Sequence, residues 1–170
     1  MRSASARYPS RFKTRFGTFQ LWATSRGLYS LEFGARPGRR EPQRIPRGIR
    51  KLLEKATREI SSSLNGRKPA FDSLPIDWTG YRGFEKRVLG VLRKIQWGRT
   101  STYKDLAVRA GRPRSARYVG RILHLNRLPL ILPCHRIVPK AGGLGGFSKG
   151  LEWKRRLLKL EGARVDIRLR

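Results

Sequence analysis

Residues 101–126 read STYKDLAVRAGRPRSARYVGRILHLN, and their punctuation decides what kind of domain they belong to. Ser101 or Thr102 can cap a helix through TYKDLAVRA, because a hydroxyl there accepts from the free backbone N–H groups of a first turn. Gly111-Arg112-Pro113 stops that helix, since proline lacks an N–H and clashes with the turn before it. RSARYVGRILHL then resumes helical spacing. Two short helices joined by a Gly-containing turn predict a helix-turn-helix. Arg114, Arg117 and Arg121, three and four apart, are expected on one face of the second helix. The small residues Ser115, Ala116 and Gly120 beside Arg117 suit close approach to another backbone. The plainer readings are a solvated charged face and tight helix packing.

The charge balance favours the first reading. The chain of 170 residues has 40 Lys and Arg against 11 Asp and Glu, a formal net charge of +29 spread without a separate basic block. Such a field favours a polyanion, and counterions released from nucleic acid would make binding steeply salt-dependent. An Arg-rich genome or a hot environment is the bland alternative. With 38% hydrophobic residues the chain can bury an ordinary core. No apolar run approaches the roughly twenty residues that span a bilayer, and MRSASARYPSRFKTRF lacks the apolar core of a signal peptide. An intracellular, cytoplasmic protein without a membrane partner is expected, nuclear if the source is eukaryotic.

Upstream, TRFGTFQLWAT, SRG and LYSLEF alternate apolar and polar residues around a turn, which predicts a β-hairpin from Thr14. Residues 35–47, with three prolines and five arginines, read as an exposed loop. Ile49, Leu52, Leu53, Ala56, Ile60 and Leu64 form the stripe of an amphipathic helix ended by Asn65-Gly66. KPAFDSLPIDWTG has two prolines and no stripe. The expected organisation is an amino-terminal α/β domain over residues 1–72 (a small antiparallel sheet plus a helix), a linker over 73–80, and a mainly α domain over 81–170 containing the helix-turn-helix. Phe84, Val88, Val91, Leu92 and Ile95 mark its first helix, ending at Trp97-Gly98.

Downstream, LPLILP reads as a short buried strand running into Cys134, the single cysteine. One cysteine forms no internal disulfide and no thiolate-rich zinc site, so Cys134 is either inert packing or chemistry. A thiol is mostly protonated at neutral pH, and a nucleophilic role needs a base held by a third group. His135 is adjacent, but in an extended segment it points to the opposite face. Glu161, just before Gly162 at the end of the amphipathic LEWKRRLLKLEG, is the best-placed acid. The glycines at 142, 143, 145 and 146 make a loop able to approach a ligand closely.

The string PCHRIV, with GGLGGFSKGLEWKRRLLKLEG after it, resembles the active-site signature of the O6-alkylguanine-DNA alkyltransferases, also called methylated-DNA–protein-cysteine methyltransferases. FEKRVLGVLRKIQWGRTSTYKDLA and RSARYVGRILHLN resemble that family's upstream block, recognition helix and Asn hinge, and the likeness covers about residues 50–165. The resemblance implies an irreversible, single-turnover transfer of the alkyl group from guanine O6 in duplex DNA to Cys134, with O4-alkylthymine left open as a second substrate. His135 would act through a water as base, oriented by Glu161. Arg117 would be a finger inserted where the base flips out, and Tyr103 would push the 3′ phosphate. Arg114, Arg121, Ser115, Ala116 and Gly120 would line a minor-groove surface. Asn126 would tie the recognition helix to the active-site strand. Ile137, Phe147, Ser148 and Lys154 would surround the guanine.

The resemblance implies no cofactor, no metal and a monomer. Two residues depart from the pattern: Phe147 stands where many members have Tyr, and Tyr118 where Ala is usual. The alternatives are a non-catalytic lesion sensor of the alkyltransferase-like type, which lacks the cysteine, and a Cys-His hydrolase, which leaves the basic helix unexplained.

Overall fold

The computed structural model describes residues 6–35 and 44–164, and the chain divides into two compact units between Thr79 and Gly80. Each is built around its own apolar core.

In the first unit, β1 (Tyr8–Thr14), β2 (Gly17–Thr24) and β3 (Gly27–Phe33) form an antiparallel sheet in that order. The expected hairpin is thus β2 and β3 plus a further strand, β1, which sits at the sheet edge, where Pro9 costs no ladder hydrogen bond. Phe19, Leu21 and Ala23 of β2 alternate inward and are fully buried, as a half-covered sheet demands. They pack with α1 (Arg47–Leu64), whose Leu53, Ala56, Ile60 and Leu64 form the buried stripe. Arg15 Nη2 donates to Leu64 O at 3.0 Å, placing a cation on the carbonyl end of the helix. Of the loop expected over 35–47, residues 36–43 lie outside the described residues.

Residues 73–77 differ from the expected linker. Leu74 and Ile76 are buried, Ile76 bridges Leu28 in parallel, and Leu28 N donates to Pro75 O at 2.9 Å. A Cβ on Gly27 would lie 2.6 Å from that same carbonyl, so only glycine admits the crossing. Asp77, 2% exposed, accepts from Thr24 Oγ1 at 2.6 Å and Thr79 N at 2.8 Å. Burial alone would raise its pKa, but these bonds and the Arg26 charge hold it below the usual carboxylate value. The prolines read as linker punctuation instead shape a segment hydrogen-bonded to β3.

In the second unit, α2 (Gly83–Arg93) buries Phe84, Val88, Leu89 and Leu92. A two-residue strand β4 (Ser101–Thr102) leads directly into α3 (Tyr103–Arg109). Thr102 is the cap: its Oγ1 accepts from Asp105 N at 3.1 Å, and the Asp105 carboxylate accepts from Thr102 N at 3.3 Å. After the turn through Gly111 and Pro113, α4 (Ala116–His124) buries Val119, Ile122 and Leu123 against the rest. The pair α3–α4 is the helix-turn-helix. Arg114 precedes α4 rather than riding on it.

The apolar run 128–133 is buried but is not a strand. Prolines at 129 and 133 remove donors, Leu130 has φ +76°, and the segment closes on itself through Leu132 N donating to Leu128 O at 2.8 Å. The extended pairing comes instead from β5 (Ile137–Val138), parallel to β4 with Ser101 opposite Ile137. Between them in the chain, Cys134–Arg136 form one 3₁₀ turn. The unit closes with α5 (Leu151–Leu160), whose buried face is Lys154, Leu157 and Leu158.

Candidate active site

The 3₁₀ turn sets the site. With about three residues per turn, the side chains of Cys134, His135 and Arg136 leave the backbone in three directions, and all three are buried. Cys134, 5% exposed, meets Asn126, whose Nδ2 donates to Leu132 O at 2.8 Å and to Cys134 Sγ at 3.2 Å. Asn126 follows α4 almost directly, so one amide joins the end of that helix, the apolar turn and the thiol. Burial pushes the thiol pKa up, opposed by the Asn126 bond and the charges of Lys154 and Lys149. The resting sulfur is therefore a thiol.

His135 reaches the end of α5. Its Nε2 lies 2.8 Å from Glu161 Oε1, while Nδ1 is buried with no hydrogen-bond partner among the described residues. Glu161, the residue capping α5, also takes a two-pronged contact from Arg136: Nε to Oε2 at 2.8 Å and Nη2 to Oε1 at 2.9 Å. Burial would raise the Glu161 pKa, but the bonds and charges of His135 and Arg136 outweigh it and hold it at about 2. His135 is shifted the other way from a salt-bridged histidine: burial lowers its pKa, and Arg136 and Lys154 add to that against the Glu161 contribution. Because Arg136 already neutralises the carboxylate, the consistent state is ionised Glu161 with neutral His135. An ionised carboxylate only accepts, so Nε2 carries the hydrogen and Nδ1 is the free basic nitrogen.

Arg136 was invisible as a site residue in the sequence reading. Its other nitrogen, Nη1, donates to Ile95 O at 2.5 Å, and its guanidinium lies 5.7 Å from the Trp97 ring centre. The signal was there in PCHRIV: an arginine in an apolar run has to be paired when buried. Gly98 completes the anchor. It has φ +73°, its N donates to Glu161 Oε2 at 3.3 Å, and a Cβ there would lie 2.8 Å from Glu161 O.

The remaining sequence candidates fall into two groups. Tyr103 opens α3 beside the thiol: burial and the neighbouring Cys134 raise its pKa, and its ring lies against Gly120 of α4, where a Cβ would sit 3.8 Å away. Phe147 meets His135 edge-on, centroids 6.3 Å apart. Ile137 is buried and Ser148 exposed. Lys154, expected beside a guanine, is wholly buried and structural in its contacts: Nζ donates to Ile137 O at 2.5 Å and Gly146 O at 3.2 Å. It ties β5 to the glycine loop, and burial lowers its pKa to about 8 against the influence of Cys134.

Arg114, Arg117 and Arg121 are exposed, and Ser115 and Ala116 are half-buried at the start of α4. Tyr118, which stands where Ala is usual in the resembled family, packs back on α2: its ring stacks on Phe84 at 5.8 Å and its hydroxyl donates to Glu85 Oε1 at 3.4 Å. Among the described residues no group of three or more His, Cys, Asp or Glu is arranged to hold a metal, and no helix is long and apolar enough to cross a membrane.

A helix-turn-helix followed by this buried Cys-His pair matches a known domain class. Residues 83–163 match the family model "6-O-methylguanine DNA methyltransferase, DNA binding domain". A methylated-DNA–protein-cysteine methyltransferase of Methanosarcina barkeri is 35% identical over 146 residues, covering 85% of this chain and 90% of its own length. One from Metallosphaera sedula is 40% identical over 110 residues, covering 65% and 68%. The structure is similar to that of Mycobacterium tuberculosis OGT in complex with DNA, at a TM-score of 0.74 and 26% identity, covering 89% of this chain and 91% of that one. The chain belongs to the methylated-DNA–protein-cysteine methyltransferase family.

Proposed function

We propose that this protein repairs O6-alkylguanine in duplex DNA by taking the alkyl group onto Cys134 once and irreversibly. Sγ attacks the alkyl carbon, the S–C bond forms as the C–O6 bond breaks, and the thiol's proton, passed to His135 during the attack, returns through water to the released guanine. His135 Nδ1 takes that proton through a water, and Glu161, held by Arg136, keeps the ring in the tautomer that leaves Nδ1 free. A thioether is a poor leaving group, so no step regenerates the thiol. The observation that carries this reading is the buried chain Arg136–Glu161–His135 beside a hydrogen-bonded neutral thiol.

A stacked guanine does not offer its O6 substituent to a buried thiol, so the base must leave the duplex at a cost of a few kcal/mol. The exposed Arg117 is the finger that fills the gap, and Tyr103 acts at the 3′ phosphate. Arg114, Arg121, Ser115, Ala116 and Gly120 contact the minor groove, whose sparse code suits damage occurring in any sequence. Backbone groups at Cys134, Ile137 and Ser148 hold the flipped base, with Phe147 available to stack on it. O4-alkylthymine is a second candidate substrate. The test is mass spectrometry after mixing with duplex carrying O6-methylguanine. One added methyl, absent in Cys134→Ser, is expected; binding without modification of Cys134 would support a lesion sensor instead.

A further inference from the structure

The first unit has a charged surface that the alkyl transfer does not use. Along α1 and the residues before it, Arg44, Arg47, Arg50, Lys51, Lys55 and Arg58 are all exposed. In a helix Arg47, Lys51, Lys55 and Arg58 follow one another at spacings of four, four and three, one continuous face about 16 Å long at 1.5 Å per residue. Arg44, Arg47, Arg50 and Lys51 border one shallow depression with Pro46 and Glu54. Glu54 is the carboxylate in this stripe; Glu59 is turned away, accepting from Ala70 N at 2.7 Å. None of the six cations pairs with a described carboxylate.

The arrangement opposes the helix that carries it. Acids favour the positive amino end of a helix and like charges four apart repel, yet the first turn of α1 holds no acid and Arg47, Lys51 and Lys55 succeed one another at that spacing. A local conflict of this kind is expected where a surface serves binding. What relieves a row of unpaired cations is a row of anions. Duplex DNA offers one phosphate charge per about 1.7 Å of axis; a small anion or a single acidic side chain would meet only one or two of the six.

We infer that the exposed face of α1 is a second, sequence-independent contact surface for duplex phosphates, formed by Arg44, Arg47, Arg50, Lys51, Lys55 and Arg58. This rests on the reading of the protein as a DNA-binding protein. Such a surface adds non-specific affinity and residence on undamaged DNA without touching the damaged base.

The test measures binding to an undamaged duplex by fluorescence anisotropy across a salt series. The wild-type protein is compared with Arg47→Gln/Arg50→Gln/Lys51→Gln and with Lys13→Gln/Arg67→Gln/Lys68→Gln, which removes equal charge at the other end of the first unit. Losing three phosphate contacts should reduce the slope of log K against log salt by roughly 2 to 3, with the melting temperature of the α1 variant unchanged or raised. The second variant should keep close to the wild-type slope. An unchanged slope in the α1 variant overturns the inference while leaving the repair reading intact, and so does an equal loss in both variants, which would mean net charge alone. A flat wild-type salt response overturns the DNA reading and this surface with it.

Discussion

Replacing Glu161 by Gln keeps the shape of the anchor and removes its charge. The Glu161 carboxyl is held at about 2 against an ordinary 4.5, a gap of about 2.5 units, which at 1.36 kcal/mol per unit is about 3 kcal/mol of stability at neutral pH. The mutational expectation agrees, since deleting one member of a buried ion pair costs about 3–5 kcal/mol and Arg136, 6% exposed, would be left charged and half-paired. The sign is fixed by the direction of the shift. A depressed carboxyl pKa stabilises the fold above the unfolded value of 4.5, and the contribution is lost as pH falls from there through 2.

The wild-type protein should therefore be about 3 kcal/mol more stable than Glu161→Gln at pH 7, measured by urea denaturation. The difference should shrink by about 2 kcal/mol by pH 3, because protonated Glu and Gln are near equivalents. Single-turnover reaction with free O6-benzylguanine should fall by about 10²–10⁴-fold at pH 7, the usual worth of a positioned general base. A stability difference that does not change between pH 6 and 3 would refute the assignment of Glu161 as the ionised anchor. A reaction rate within about twofold of wild type would refute its coupling to the thiol through His135.

Three further outcomes are expected. Arg117→Ala should react with free O6-benzylguanine at the wild-type rate but repair duplex DNA more slowly; equal loss on both substrates contradicts the finger role. Gly98→Ala forces a Cβ against Glu161 O and a left-handed backbone, and should lower stability by about 1–3 kcal/mol, read from the urea midpoint; an unchanged midpoint counts against the packing of the Trp97-Gly98 turn on the site. Since burial lowers the His135 pKa and raises that of Cys134, the rate with free O6-benzylguanine should show no half-maximal fall near pH 6.5 and should keep rising above neutrality. A histidine-like midpoint at 6.5 would mean that His135 titrates as an exposed ring.

The helices were legible because burial on one face imposes a spacing that survives in sequence: α1, α2 and α5 end where Asn65-Gly66, Trp97-Gly98 and Gly162 said they would, to within a turn. The misread elements lack that signal. LPLILP has the composition of a strand, but its prolines and Leu130 fold it into a buried turn; β4 and β5, two residues each, are too short to show a period. β1 was hidden because its facing residues are mostly half-exposed and its second residue is Pro9. Residues 73–77 looked like a linker since Gly27 meets Pro75, and Thr24 meets Asp77, only once the chain has folded. Within the site, Cys134, His135 and Glu161 were legible from chemistry and the family signature. Arg136 was legible only in part: an arginine in an apolar run calls for a partner, but that partner is 25 positions away and nothing local names it. Lys154 could have been placed from spacing, as it shares the buried face of Leu157, Leu158 and Glu161.

Adjacent Cys and His residues are a poor dyad in a strand, where successive side chains oppose each other. The 3₁₀ turn resolves this by rotating about 120° per residue. Cys134 faces Asn126 and the start of α3, His135 faces the end of α5, and Arg136 comes round to clamp the same carboxylate from the other side. Each neighbour thereby contacts a different element of the unit: the thiol the end of the helix-turn-helix, the imidazole and the arginine the last helix. Glu161 can orient His135 without drawing a charge onto it because burial disfavours the charged ring and Arg136 has already balanced that carboxylate. The motif works as three consecutive residues, and its third member keeps the second neutral, with a free nitrogen, beside the first.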